Sequence, residues 1–215
     1  MRTVLRLKSG DALAAFDGRG KEWQAEVVQL SKRGGEILLV DQLRADPANQ
    51  PQITLALALL KGSAMDNALQ KATELGVDRI ALVQAGRSNV ALKGDRLDRR
   101  LSHWRGVIAS ACEQSGRTWL PELTSPVPLA EVLKTHQSVR TLMLDLNAPT
   151  LGTLEAMDSL VCIGPEGGWS EEERAWAMHA GVDRYALAST TLRADTAAAA
   201  ALVAIQQGWG WPTRA

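Results

Sequence analysis

With 215 residues, 46% of them apolar and 22% charged, the chain is long enough for one large domain or two small ones around a sizeable core. Its formal net charge is zero, but residues 1–120 hold 18 Lys+Arg against 13 Asp+Glu (net +5) and residues 121–215 hold 6 against 11 (net −5), which fits either a basic front half facing a polyanion or chance variation on solvated faces. No apolar run is long enough to span a bilayer, no signal-peptide pattern opens the chain, and neither the scattered His103, His136 and His179 nor Cys112 and Cys162 have the spacing of a zinc site or disulfide framework. A cytoplasmic enzyme or binding protein without membrane, metal or disulfide is the expectation.

In chain order, residues 1–46 read as short β runs with turn signals between them. Val4-Leu5-Arg6-Leu7, Ala12 to Phe16, Trp23 to Leu30 and Glu36 to Val40 are four strands, joined through Asp17-Gly18-Arg19-Gly20 and Ser31-Lys32-Arg33-Gly34-Gly35. Four short strands with glycine turns suggest a small barrel-like module. Asp46-Pro47-Ala48-Asn49-Gln50-Pro51 is a linker, since two prolines in a polar stretch break helix and strand alike. From residue 52 onward the rhythm changes. Ile53 to Leu60 is an apolar strand, Ala64 to Leu75 a helix closed by Gly76, Arg79 to Gln84 a strand, and Asp95 to Ser115 a long helix. Thr141 to Leu146 and Leu160 to Ile163 are strands, Ser170 caps a helix that Gly181 ends, Arg184 to Leu187 is a strand, and Thr196 opens an alanine-rich helix, Ala197 to Gln207. Near-continuous apolar strands alternating with helices predict a mostly parallel α/β sheet covered on both faces.

The most informative stretch is Ile163-Gly164-Pro165-Glu166-Gly167-Gly168-Trp169-Ser170 followed by Glu171-Glu172-Glu173. A buried strand empties there into a loop with little side chain, so that backbone groups can approach a ligand. Ser170 and Glu173 have capping-box spacing. Three acids in the first helical turn disfavour an anion, and the loop lacks both the P-loop lysine and the dinucleotide fingerprint, so a neutral or cationic ligand fits better. A merely tight turn would look the same.

Several separated pieces coincide with one family pattern. The stretch Leu160 to Glu173 is similar to the signature of the RsmE family, small-subunit ribosomal RNA uracil-N3 methyltransferases of the SPOUT superfamily. Lys71-Ala72-Thr73-Glu74-Leu75-Gly76-Val77, Arg87-Ser88, Ala111-Cys112-Glu113-Gln114-Ser115-Gly116-Arg117 and Leu192-Arg193-Ala194-Asp195-Thr196-Ala197 resemble further motifs of that family, in the right order. The resemblance runs from about Val4 to the C-terminus. It implies a small PUA-like RNA-binding β-barrel module over residues 1–46 and a SPOUT methyltransferase domain over residues 52–215. In that domain a mostly parallel α/β fold is knotted as a trefoil, an exception to the rule against threaded connections. It further implies a homodimer, S-adenosylmethionine (SAM) as cofactor, and 16S ribosomal RNA in the small subunit as substrate.

By position in the motifs, the resemblance implies a SAM pocket of three loops, following Thr141 to Leu146, over Gly164 to Gly168, and over Leu187 to Arg193. Leu144, Ile163, Gly164, Glu166, Gly167, Gly168, Leu187 and Leu192 are its expected cofactor-binding residues. Arg193 is the expected catalytic residue, its planar fork suited to uracil carbonyl oxygens or a phosphate, against a structural salt bridge to Asp195 or Glu166. Thr196 either hydrogen-bonds the base or caps the alanine-rich helix. Lys61, Lys71, Arg87, Ser88, Arg117, Glu113 and Gln114 are expected at the RNA, with Arg6, Arg19, Lys32 and Arg33 gripping phosphates from the small module. Helical spacing puts Ser110, Glu113, Gln114 and Arg117 on one face, where a Glu–Arg ion pair is the alternative.

Three departures stand out. The family's first module usually begins earlier, so the module here is expected to be N-terminally short. Leu187-Ala188-Ser189-Thr190-Thr191-Leu192 replaces L-G-x-R-I-L, losing a glycine and an arginine, which is expected to crowd the adenosine site. Asp195 stands for a glutamate, as Ser110 does. The altered loop and short module also leave open a non-catalytic RNA-binding or ribosome-assembly protein, or a related methyltransferase acting on another RNA atom such as a ribose 2′-hydroxyl.

Overall fold

The computed structural model describes residues 7–31, 34–88, 90 and 92–210. They fall into two compact units, one formed by the chain up to Ala48 together with Gly116–Leu120, the other by Asn49–Ser115 with the chain from Pro121 on. Arg6, Lys32, Arg33 and Trp211 lie outside the described residues, as does most of the expected first strand.

The first unit is a three-stranded antiparallel sheet in the order β1 (Ala12–Phe16), β2 (Lys21–Leu30), β3 (Gly35–Ala45). The turn between β1 and β2 closes because the Asp17 carboxylate accepts the backbone N–H groups of Arg19 (2.7 Å) and Lys21 (3.1 Å), the local bond that makes Asp a turn residue. Strand β3 runs to Ala45, five residues beyond the expected end at Val40, because β2 offers partners along its whole length, down to Lys21 opposite Ala45. Residues 116–120 clasp this sheet. Gly20 donates to the Thr118 carbonyl (3.1 Å), Leu120 to that of Gly18 (3.0 Å), the Trp119 indole to that of Asp46 (2.9 Å), and the Thr118 hydroxyl to the Asp46 carboxylate (2.6 Å). Gly20 is required here: its φ is +101°, and a Cβ would lie 2.5 Å from the Asp46 carbonyl oxygen and 2.7 Å from the Trp119 indole nitrogen.

The second unit is a six-stranded parallel sheet. Its elements are β4 (Ile53–Ala58), α1 (Ser63–Glu74), β5 (Arg79–Val83), α2 (Gly94–Ser115), β6 (Glu122–Leu123), α3 (Leu129–Thr135), β7 (Arg140–Leu144), β8 (Ser159–Ile163), α4 (Glu171–His179), β9 (Asp183–Tyr185) and α5 (Ala194–Gly208). The strand order is β6-β5-β4-β8-β7-β9. Alternate residues of the central strands go to opposite faces. Leu55, Leu57, Val161 and Ile163 join a larger core with α1, α2 and α5, while Ala56, Ala58, Leu160 and Cys162 join a smaller one with α3 and α4. Burial pushes the Cys162 thiol up to about 12, so it packs as a neutral apolar group. On the alanine-rich α5, Ala198, Ala201, Leu202 and Ile205 recur at helical spacing, and all four are buried. At its far end the Gln206 amide donates to the Leu75 carbonyl (2.6 Å), satisfying the end of α1.

Three expectations are corrected, and two elements are new. Helix α2 ends at Ser115, where Gly116 takes φ +68°, so Arg117 leaves the face shared by Ser110, Glu113 and Gln114 and belongs to the first unit. Helix α5 begins at Ala194 with Arg193 at its N-cap, so Thr196 is not the cap. The last strand is Asp183–Tyr185 rather than Arg184 to Leu187. Strand β6 and helix α3 were not anticipated: one has two residues and the other seven, too short for a periodic signal.

Candidate functional site

Strands β8, β7 and β9 are neighbours, and their carboxyl ends open into one cavity of about 470 Å³. Its walls come from the three loops that leave those strands: Asp145 to Asn147, Gly164 to Trp169, and Ala186 to Arg193. This is where open α/β sheets place ligands, because there the loops splay apart while the strands hold their starts in register. All eight residues expected to bind the cofactor line this cavity, and so does Arg193. Thr196 does not line it, although Ala194 and Ala197 on either side do.

The glycine loop is shaped by a fixed turn. Gly168 donates to the Pro165 carbonyl (2.8 Å) and takes φ +68°, which brings the buried Trp169 indole flat against Gly164. A Cβ on Gly164 would sit 3.2 Å from that ring, so the strand end and the indole require a bare backbone. The Ser170 hydroxyl accepts Glu173 N–H (3.1 Å) and the Glu173 carboxylate accepts Ser170 N–H (2.7 Å), the complete capping box that the spacing predicts.

Next to this loop lies a polar cluster that sequence reasoning missed. The Asp145 side chain, 4% exposed, holds Arg174 and Arg184 at 3.2 Å each on the same oxygen, while its other oxygen accepts Asn147 N–H at 3.1 Å. It ties the β7 end to α4 and β9, on two sides of the cavity. The signal was faint: one acid directly after an apolar strand, with arginines 29 and 39 positions on. Burial, and next the neighbouring Asp183 carboxylate, raise the Tyr185 phenol above its ordinary value, so it lines the cavity as a neutral group.

Arg193 is exposed at the cavity rim, and among the described residues its guanidinium has neither an ion pair nor a hydrogen bond. The salt-bridge alternative fails for a visible reason: Asp195 instead pairs with Lys71 across 3.6 Å, joining α5 to α1. The other residues expected at RNA are dispersed. Lys61 is exposed just beyond β4, and Glu113 and Gln114 are exposed at the end of α2. Arg87 is exposed and reaches the Gly167 carbonyl at 3.4 Å, while the Ser88 hydroxyl is spent on the Leu59 carbonyl at 2.8 Å. Arg19 is exposed on the first unit, which also contains Arg117.

The cavity fits a methyl-donor nucleoside in size and in chemistry. Leu144, Ile163, Leu187 and Leu192 supply apolar walls, Gly164, Gly167 and Gly168 leave backbone accessible, and the exposed Glu166 carboxylate suits a cationic centre. Ala188, standing where the family pattern has glycine, lies in the cavity wall.

Comparison with known proteins gives a consistent picture. A family model described as an RNA methyltransferase domain matches residues 47–206, and one described as an RNA methyltransferase PUA domain matches residues 1–40. The chain is 31% identical to the ribosomal RNA small subunit methyltransferase E of Synechocystis sp., over 95% of this chain and 69% of that one. It is 33% identical to the protein of the same name from Mycobacterium bovis, over 94% and 80% respectively. Among solved structures, a ribosomal RNA small subunit methyltransferase E from Neisseria gonorrhoeae bound to S-adenosyl methionine superposes with a TM-score of 0.84 at 34% identity, covering 97% of this chain and 87% of that one. A putative methyltransferase from Legionella pneumophila with bound SAM gives 0.88 at 30% identity over the same shares.

Proposed function

Because the chain belongs to the small-subunit ribosomal RNA methyltransferase E family, we propose that it transfers a methyl group from SAM to N3 of a uridine in 16S ribosomal RNA. The observation that carries this reading is the cavity at the ends of β7, β8 and β9, with Arg193, unpaired among the described residues, at its rim.

SAM supplies an electrophilic methyl group on a positively charged sulfur. In the transfer the N3–carbon bond forms, the sulfur–carbon bond breaks and the N3 proton leaves. The chain's own contribution is positioning and electrostatics, the terms that dominate when a protein supplies no covalent chemistry. Leu144, Ile163, Leu187 and Leu192 hold the adenosine while the backbone of Gly164 to Gly168 reads its polar edge. The Arg193 guanidinium holds the uracil carbonyl oxygens and stabilises the negative charge that the ring gains on losing its proton. Thr196, exposed in the first turn of α5 three residues after Arg193, supports the base. No histidine among the described residues lines the cavity, so the proton passes to solvent or to a carboxylate such as Glu166.

The same reading makes the first unit an RNA-binding module, with Arg19 and Arg117 on phosphates. It makes the second a knotted, homodimeric methyltransferase domain whose Lys61, Lys71, Arg87, Glu113 and Gln114 face the RNA. No helix among the described residues is long and apolar enough to cross a membrane, which suits an enzyme working on ribosomal subunits in the cytoplasm.

The test is methyl transfer from labelled SAM to small subunits lacking the N3-methyluridine mark, with digestion to nucleosides. Labelled N3-methyluridine is the expected product; label on a ribose would identify a different target atom, and no label with intact RNA binding would identify a non-catalytic protein. Arg193→Ala is expected to lower kcat by at least about a hundredfold, the usual loss when a charge-stabilising group is removed, with SAM affinity retained.

A further inference from the structure

Glu173 makes one bond more than a helix cap requires. Its Oε2 accepts Ser170 N–H at 2.7 Å and completes the capping box of α4, but its Oε1 accepts Gly86 N–H at 2.9 Å, from the loop that follows β5. The residue is 3% exposed, so both bonds are made by a carboxylate shielded from water. Gly86 leads directly into Arg87 and Ser88. A second tie joins the same two loops: the Arg87 guanidinium donates to the Gly167 carbonyl at 3.4 Å, and a Cβ on Gly167 would lie 3.2 Å from Arg87 Cβ and 3.3 Å from its carbonyl oxygen. The far side of the Arg87 loop is pinned by the Ser88 hydroxyl on the Leu59 carbonyl.

We propose that Glu173 is a positioning residue for RNA recognition, holding the Gly86–Ser88 loop against the glycine loop of the cofactor cavity so that Arg87 is presented to the RNA at a fixed distance from the transfer site. The role of Arg87 rests on the reading given under Proposed function. Glu173 thus bonds both the end of the glycine loop, at Ser170, and the Gly86 loop, while the Arg87–Gly167 contact is the second link between them.

Glu173→Gln keeps the size of the side chain but turns an N–H₂ group toward one of the two backbone donors, releasing a loop. Ser170→Ala removes the cap hydroxyl and leaves the bond to Gly86. Dissociation constants for purified 16S ribosomal RNA, by filter binding, and for SAM, by calorimetry, are measured on the full chain. Glu173→Gln is expected to weaken RNA binding about tenfold and SAM binding by less than about twofold, while Ser170→Ala changes RNA binding by less than about twofold. In the background of Arg87→Ala, Glu173→Gln should add almost nothing, because the two substitutions remove one contact. Glu173→Asp, which keeps the charge but shortens the reach, is the second variant should the glutamine protein melt early, and is expected to lose RNA affinity in the same way.

Equal losses in Glu173→Gln and Ser170→Ala would reduce Glu173 to a helix cap and overturn the proposal. So would additive losses with Arg87→Ala, or unchanged RNA affinity in Glu173→Gln. Lack of methyl transfer by the unaltered protein overturns the enzymatic reading instead, and leaves these binding constants to decide the role of Glu173.

Discussion

Strand β3 of the first unit and strand β4 of the second are both rich in branched apolar residues, yet one is exposed along almost its whole length and the other is enclosed. In β3, Leu38 is 58% exposed and Val40 53%; in β4, Leu55, Ala56, Leu57 and Ala58 are all at 0%. Among the described residues, both apolar core clusters lie in the second unit, and the first contributes only Ala25 and Val27 to the buried apolar residues. Sequence composition alone does not separate these strands; what covers them does. The second unit is stabilised by burial, while among the described residues the first is held by backbone pairing and by the bonds that residues 116–120 make to Gly18, Gly20 and Asp46.

That contrast predicts where substitutions will hurt. Leu57→Ala, which empties the centre of the larger core, should cost about 3 kcal/mol in denaturant unfolding, and a cost below about 1 kcal/mol would mean the sheet can collapse around the gap. Gly20→Ala should destabilise the first unit by about 2 kcal/mol, since the residue sits at positive φ and the new methyl group meets the Asp46 carbonyl and the Trp119 ring. Amide exchange separates the units: protection should fall in β1 to β3 and stay unchanged in β4 and β8. Leu38→Ala, on the exposed strand, should change stability by less than about 0.5 kcal/mol. A larger loss would show that β3 is covered in solution and would weaken the contrast.

The parts legible in the sequence are those where one residue type has one physical use. The capping box at Ser170 and Glu173, the parallel sheet implied by continuous apolar strands, and the loop of Gly164 to Gly168 beside a cavity all follow from local chemistry. The Asp145 cluster was illegible because its partners are brought together only by the order β8-β7-β9, which no periodicity encodes. Arg117 was misplaced because its spacing from Gln114 suits a helix that Gly116 ends first. Of the two readings left open for Thr196, the cap is excluded because the backbone turns helical two residues earlier. The motif resemblance pointed to Arg193, which no local pattern singles out: among the described residues its guanidinium has no partner, and it stands at the cavity rim.

The clasp over β1 to β3 also has a consequence in time. Its residues Thr118, Trp119 and Leu120 follow Gly18 and Gly20 by about a hundred positions, with β4, α1, β5 and α2 in between. A chain made from its N-terminus therefore has the first three strands in hand long before the piece that fastens them. The first unit's strands are made before those of the second, yet on this geometry the unit cannot be finished until the long helix α2 has also emerged.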